Sequence, residues 1–498
     1  MTEILRSLRL FQPEIALTAA LLVVVLVDAS GVRARSALTR GLTVVGLAVA
    51  LVLSLRLLGQ TGEIWNGLLV VDPLAGFFKV LLVSASLLVA LAFTFGNSRE
   101  LFGLGQGEFY ALLLAVTFSN LLLAASNELT MLYLSLEMVS ITSYVMVAYM
   151  KGDRLSNEAS LKYILFGAVS TGGMLYGLSF LYGLVGETGL PAVRTFLAQG
   201  VTTQNALAVY VIAFLVMAGF GFKTAVVPFH FWCPDVYQGA PTPVTAFLSV
   251  APKAAGFAIL TRFFFQGFSM PGGGPWERTA AIDWPGLLML VSVLTMTVGN
   301  VAALTQTNMK RLLAYSSIAH AGYIMMGVVA LSEDGVRALQ IYLLAYLFMN
   351  LGAFLVVTLV HKEDGTFDLR DYPGLYRRAP FLTLAMAIFL FSLMGIPPLV
   401  GFMGKLYVFA AIVEKGPSYW WYAVVGAVNA AIAAYYYARV LKTMIIDGGN
   451  EDKAPLRLAP ADAGFLLFFV AANVVPLLYW DAIDGWARAS SLLYAAAR

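Results

Sequence analysis

Five residues able to hold or pass a proton lie inside long apolar runs of this sequence. They are Glu137 in LTMLYLSLEMVSITSY, Lys223 in AGFGFKTAVVPFHFW, Lys253 in AFLSVAPKAAGFAIL, His320 in YSSIAHAGY and Lys405 in MGIPPLVGFMGKLYVF. A charge at bilayer depth costs from roughly 3 to more than 10 kcal/mol, so each needs a partner or a use. Their common chemistry is acid–base. An ion pair at about 4 Å is worth about 4 kcal/mol at an effective dielectric near 20. Moving one charge across about 150 mV takes roughly 3.5 kcal/mol, so making or breaking a carboxylate–lysine contact is enough to load or eject a proton.

The neighbours of these groups fall at helical spacing. Tyr133, Glu137, Ser140 and Tyr144 follow i, i+4, i+7 and i+11, one helix face turned to protein or water rather than lipid. A hydrogen-bonded packing seam is the structural alternative, and the mid-span carboxylate favours transport over it. Ser316, His320 and Tyr323 form a second stripe, and Tyr342, Tyr346 and Asn350 a third on the next helix. For His320 a satisfied structural histidine and a proton carrier both remain open.

Proline adds a second pattern. Lys223 precedes Pro228 by five residues, Lys405 follows the Pro397-Pro398 pair by seven, and Lys253 directly follows Pro252. Proline removes a backbone donor and clashes with the preceding turn, which predicts interrupted helices beside Lys223 and Lys405. Freed carbonyls and local water then serve a proton path, as in discontinuous transporter helices. Proline is also common in membrane helices for reasons of packing. The two breaks nevertheless fall in corresponding places if spans 4–8 and spans 9–13 are two copies of one unit.

The elements that must carry these residues follow from composition. Of 498 residues, 60% are hydrophobic and 12% charged, against about 25% charged in soluble domains. Mean hydropathy is +0.81. Only lipid is a suitable solvent for so much apolar surface. Apolar stretches long enough to span a hydrocarbon core recur from 13–29 to 461–480, about 14 in all. Gln12-Pro13-Glu14 precedes the first, which lacks a convincing cleavage site for a signal peptide. The divisions expected are residues 1–107 (helices 1–3), 108–268 (helices 4–8), 269–445 (helices 9–13) and 446–498 (helix 14). Loops after odd-numbered spans carry the excess of cations, from Arg33, Arg35, Arg40 and Arg99 through Lys151 and Arg154 to Lys453 and Arg457. That places those loops in the cytoplasm and both termini on the other side.

Several chemistries are excluded. The net charge of +3 is spread along the chain, with no basic tract for nucleic acid. The single cysteine, Cys233, rules out an internal disulfide and an iron–sulfur cluster held by this chain alone. Gly103-Leu104-Gly105-Gln106-Gly107 fails the dinucleotide pattern, and Gly221-Phe222-Lys223-Thr224 lacks the glycine before a Walker lysine.

The phrase PFHFWCPDVYQGAPTPVTAFLSVAPKAAGFA at 228–258, with Leu136-Glu137, NMKRLLAYSSIAHAGY at 308–323 and GIPPLVGFMGKLYVF at 395–409, resembles the antiporter-like membrane subunits of respiratory complex I. The likeness runs in order over essentially the whole chain. It is nearest the branch formed by bacterial subunit N and mitochondrial NADH dehydrogenase subunit 2, because subunit M characteristically has glutamate where Lys405 stands. The resemblance implies an all-α integral membrane protein of about 14 transmembrane helices, with two inverted five-helix repeats, each containing a proline-broken helix. It implies that Glu137 and Lys223 pair in a first half-channel, that Lys253 is the central relay and Lys405 the terminal loading group, and that His320 belongs to the polar axis between the halves. Pro228, Pro397 and Pro398 would break the helices, with Tyr133, Tyr144, Asp235 and Ser316 as accessory groups. Cys233 and Gln238 depart from the threonine and glutamate of many members, so no acidic role is expected at 238.

By the same resemblance the chain holds no cofactor. NADH, FMN, iron–sulfur clusters and quinone belong to other subunits, and its partners are those membrane-arm subunits, lipids and protons in a bacterial inner membrane. Two other readings stay open: a subunit of a related cation/proton antiporter or membrane-bound hydrogenase, and a scaffold that does not pump.

Overall fold

The computed structural model describes residues 2–30, 35–96, 106–199, 201, 205–271, 276–279, 282–448 and 454–491. Arg33, Arg99 and Lys453 of the orientation argument, and the glycines at 103 and 105, lie outside them.

A short amphipathic α1 (Thr2–Leu10) precedes α2 (Gln12–Ala29), α3 (Arg35–Arg56) and α4 (Pro73–Gly96), with a small hairpin of β1 (Gly62–Ile64) and β2 (Leu69–Val71) between the last two. The first interior series is α5 (Gln106–Ala125), α6 (Leu129–Val147), α7 (Arg154–Val185), a short α8 (Leu190–Gln199), α9 (Ala206–Thr224), α10 (Trp232–Gly239) and α11 (Thr242–Arg262). A π-helical turn, Phe263–Gly267, extends α11. The second series is α12 (Trp284–Ala303), α13 (Met309–Val329), α14 (Glu333–Asp364), a four-residue α15 (Leu375–Arg378), α16 (Pro380–Met394), α17 (Val400–Glu414) and α18 (Trp420–Ile445). The last pair is α19 (Pro460–Val474) and α20 (Trp480–Ser490).

Among the described residues 13 helical spans are long and apolar enough to cross a membrane, and the interrupted α16–α17 adds another crossing. The expected spans are therefore present, whereas α1, α8, α10 and α20 are short helices that the apolar runs did not announce. Local chemistry sets the ends. Glu128 caps α6 by accepting from the Met131 N–H at 2.9 Å, and Asn308 caps α13 by accepting from Lys310 and Arg311. Gly186 and Gly365 close the two longest helices in the left-handed conformation that glycine adopts without strain.

The interior is built around α11, every residue of which is buried. It packs on α4, α5, α9 and α14, while α13 packs between α12, α14, α10 and α17. Apolar side chains on α2, α3, α7 and α18 remain exposed, as suits a chain whose outer solvent is lipid.

The interior also holds charges beyond the five expected. Arg262, the last residue of α11, meets Asp72 before α4 through two bonds, Nη1–Oδ2 at 2.7 Å and Nη2–Oδ1 at 2.8 Å, with both side chains fully buried. Asp72 also accepts from the Ala75 N–H at 2.7 Å and so caps α4. Lys79 of α4 pairs with Glu14 of α2 at 2.6 Å, again fully inside. The Lys79–Glu14 pair ties α4 to α2 within the first three crossing helices, and the Asp72–Arg262 pair holds those helices to the remainder through charge as well as through apolar surface. Lys310 is buried at the start of α13 and donates to the Ala240 carbonyl at 2.6 Å.

Candidate functional site

Lys223 is the penultimate residue of α9. The helix stops there because Ala225 takes a left-handed conformation (φ 58°), and residues 225–231 run irregularly to α10. The break is fixed from three sides. The Val227 N–H donates to Thr295 Oγ1 of α12 at 3.0 Å, and Trp232 Nε1–H donates to the Phe222 carbonyl at 3.0 Å. Gly256 lets α11 come close, since a Cβ there would stand 2.9 Å from Thr224 Cγ2 and 3.4 Å from Lys223 Cγ. The lysine is 2% exposed, and its Nζ has no hydrogen-bond partner among the described residues. A buried ammonium in that position is satisfied by water or by a carboxylate that moves to it.

Glu137 is the carboxylate whose charge acts on Lys223, but the two are not in salt-bridge contact here. Glu137 is only half-buried on α6, among exposed Leu134, Met138 and Ile141. Of its expected stripe, Tyr133 is half-buried, and Ser140 and Tyr144 are buried. The Ser140 hydroxyl is spent on the Leu136 carbonyl at 2.8 Å, while the Tyr144 hydroxyl has no partner among the described residues. The stripe therefore runs from the outer face of the chain towards the interior.

Lys253 sits at the centre of α11. Its Nζ donates to the Ser317 carbonyl at 2.9 Å and to Ser317 Oγ at 2.5 Å, so it joins α11 to α13. One turn on, His320 is held between two phenols, with the Tyr342 hydroxyl of α14 at 2.8 Å from Nδ1 and the Tyr437 hydroxyl of α18 at 3.2 Å from Nε2. Ser316 touches the same Tyr437 hydroxyl. The second and third stripes thus meet, and Tyr437 is a member that sequence spacing could not reveal because it lies on a distant helix.

The second break is built differently from the first. Helix α16 ends at Gly395 (φ 85°), residues 395–399 turn, and Lys405 lies beyond them in α17. Its Nζ reaches back to the Leu393 and Met394 carbonyls at 3.0 and 2.7 Å, the orphan acceptors of a helix end, where the dipole is negative. The sequence placed Lys223 before its proline and Lys405 after the Pro397-Pro398 pair, and the two breaks keep that order. The Val227–Pro228 and Pro397–Pro398 peptide bonds are both cis.

Asp235 does not join this axis. It is carried by the short α10 and accepts from Lys162 of α7 at 2.6 Å and Arg311 of α13 at 2.5 Å. Partial burial would raise its proton affinity, but the bonds from Lys162 and Arg311 outweigh it and hold the carboxyl below the usual range. Gln238 accepts from the same Arg311 at 2.9 Å. This cluster ties α7, α10 and α13 together at one end of the bundle.

Lys223, Lys253, His320 and Lys405 therefore lie on α9, α11, α13 and α17, each packed on the next. Among the described residues no three His, Cys, Asp or Glu side chains gather to hold a metal. The chemistry the arrangement offers is storage and passage of charge by groups that bind one proton each.

The sequence model of the family described as NADH:quinone oxidoreductase/Mrp antiporter, TM, matches residues 126–433. A relative from Anaeromyxobacter sp. (strain Fw109-5), named NADH-quinone oxidoreductase subunit N, is 45% identical over 99% of this chain and 98% of that protein. A chain of respiratory complex I from Thermus thermophilus with bound aureothin superposes with a TM-score of 0.77 at 31% identity, covering 95% of this chain and 98% of its own. A chain of the Mrp complex from Dietzia sp. DQ12-45-1b shares the fold, with a TM-score of 0.83 at 19% identity and 97% coverage of both.

Proposed function

Because this chain belongs to the subunit N family of NADH-quinone oxidoreductases, we propose that Glu137, Lys223, Lys253, His320 and Lys405 are the groups through which it moves protons in the membrane arm of the complex. The observation that carries the reading is the continuous set of buried lysines on interlocked helices, one with no hydrogen-bond partner among the described residues and two held by hydroxyl or carbonyl oxygens rather than by carboxylates. An ammonium compensated only by dipoles can give up its proton without leaving a counter-charge stranded. Protons enter the axis from the Glu137 side and are loaded at Lys405. Oxidation of NADH and reduction of quinone, with the FMN and iron–sulfur clusters they require, belong to other subunits.

The chain divides into residues 1–107, two five-helix repeats at 108–268 and 269–445, and a C-terminal part at 446–498. The repeat reading is supported by matching lengths. The first three helices of the series have 20, 19 and 32 residues in one and 20, 21 and 32 in the other. It is also supported by two isolated bridges, Glu128 with Gly189 and Asn308 with Asp368, each joining the start of the second helix to the end of the third. If crossings alternate from α2 onward, α6 and α13 begin on opposite sides of the membrane, which makes the repeats inverted. The loop cations put both termini on the non-cytoplasmic side of a bacterial inner membrane.

Glu137→Gln tests this reading, because it keeps the side chain's shape and removes its charge. In assembled complex reconstituted into vesicles, NADH-driven proton uptake should fall by about tenfold or more. Parental uptake by a fully assembled Glu137→Gln complex would leave the carboxylate, and the entry side of the axis, without a transport role.

A further inference from the structure

The grip on His320 implies more than the carrier role just proposed, on which this inference rests. The neutral imidazole has one donor and one acceptor nitrogen. A phenol hydroxyl donates once and accepts. With the proton on Nδ1, the ring donates to Tyr342 and Nε2 accepts from Tyr437. With the proton on Nε2, Tyr342 donates to Nδ1 and the ring donates to Tyr437.

Tyr437 is tied in turn to Ser316 Oγ, one turn before His320 on α13. When Tyr437 accepts from Nε2–H, its own hydroxyl donates to Ser316. When Tyr437 donates to Nε2, Ser316 donates to Tyr437. The tautomer of the ring and the direction of three hydroxyls therefore change together. All four side chains are buried, so bulk water does not compete for these bonds.

We propose that the Tyr342 and Tyr437 hydroxyls relay protons to and from the two nitrogens of His320, one at each nitrogen, so that a proton arrives at one and departs from the other. The step balances. A proton reaching the Tyr342 oxygen displaces that hydroxyl's own proton onto Nδ1 and forms imidazolium. The Nε2 proton then passes to the Tyr437 oxygen as the Tyr437 proton moves to Ser316 Oγ, which releases one proton onward. One proton has entered and one has left, and the ring ends in the other neutral tautomer. It must return to the first before it can carry again. Lys253 and Lys405, on α11 and α17, both packed against α13, are the cationic groups whose fields act on this ring.

The test uses Tyr342→Phe and Tyr437→Phe in the whole complex, since both keep the ring and remove only the hydroxyl. Assembly, quinone reduction and proton uptake are followed together in H2O and in D2O. Normal assembly, coupled turnover about tenfold slower and a larger solvent isotope effect are expected. In a His320→Gln background, Tyr437→Phe should cause no further loss, the non-additivity of groups acting as one unit. If a phenylalanine variant does not assemble, Ser316→Ala removes only the group that orients Tyr437 and should slow coupled turnover in the same sense.

Parental rates and isotope effects in these variants, beside a Lys223→Ala complex that does not pump, would overturn the tyrosine relay alone. Parental pumping by Lys223→Ala as well would overturn the carrier reading beneath it.

Discussion

Asp72→Ala should remove this chain from the assembled complex. The change leaves Arg262, whose side chain is fully buried, with the Ala124 carbonyl at 3.4 Å in place of two short bonds to a carboxylate. Breaking a buried ion pair from one side costs about 3–5 kcal/mol, and losing the α4 cap adds about 1 kcal/mol. Domains are typically stable by only about 5–15 kcal/mol. The loss falls at the joint between α4 and α11, so the first three crossing helices should detach before the rest unfolds. Asp72→Asn retains the cap and loses the charge, and should be less damaging. Replacing both partners, Asp72→Leu with Arg262→Met, removes the unpaired charge and should restore much of the assembly, as apolar replacements of buried pairs often do. The measurement is the amount of chain retained in complex extracted with mild detergent. Parental retention of Asp72→Ala would show that the pair does not hold the two parts together.

Lys405→Ala should have the opposite profile, with assembly kept and transport lost. The lysine Nζ satisfies the Leu393 and Met394 carbonyls at the end of α16. Leaving them unpaired costs about 1–3 kcal/mol, tolerable in a chain packed along its whole length. Transport has no such margin, because the half-helix end, with about half a negative elementary charge, then has no titratable cation to hold. Coupled proton uptake should drop at least about tenfold. Lys405→Arg separates charge from proton release. The guanidinium keeps the carbonyls paired, but its pKa above about 12 prevents it from giving up a proton. That variant should assemble at least as well as Lys405→Ala and pump no better. Restored pumping in Lys405→Arg would mean that only a fixed positive charge is required at this position.

Much of this was legible in the residues, and the reasons differ by element. Long apolar runs announce crossing helices because lipid imposes one length and one polarity on them. Lys223, Lys253 and Lys405 were visible because ionisable groups in such runs are rare. Lys79 and Arg262 carried the same signal and were passed over, one near the start of a run and the other at the end of α11, where a charge reads as an edge. Their partners, Glu14 and Asp72, flank apolar runs and could be matched to them only in three dimensions. Tyr437 was hidden for a related reason, since its bonds to Ser316 and His320 cross more than 100 positions. The prolines marked both breaks, with Lys223 before one and Lys405 after the other, but the Leu393 and Met394 carbonyls that Lys405 reaches are seen only in the folded backbone. The Glu137–Lys223 pair expected from the resemblance is here an interaction at a distance, with Glu137 half-exposed at the outer face.

The central claim is that buried lysines of this chain move protons, and Lys223 is the one whose Nζ has no hydrogen-bond partner among the described residues. The most direct measurement follows quinone reduction and proton uptake together in purified, reconstituted complex carrying Lys223→Ala, once its full assembly is established. Collapse of both, in a complex of normal composition, is the predicted result. Persistence of both, with the parental number of protons per electron pair, would contradict the account and leave the chain as a scaffold.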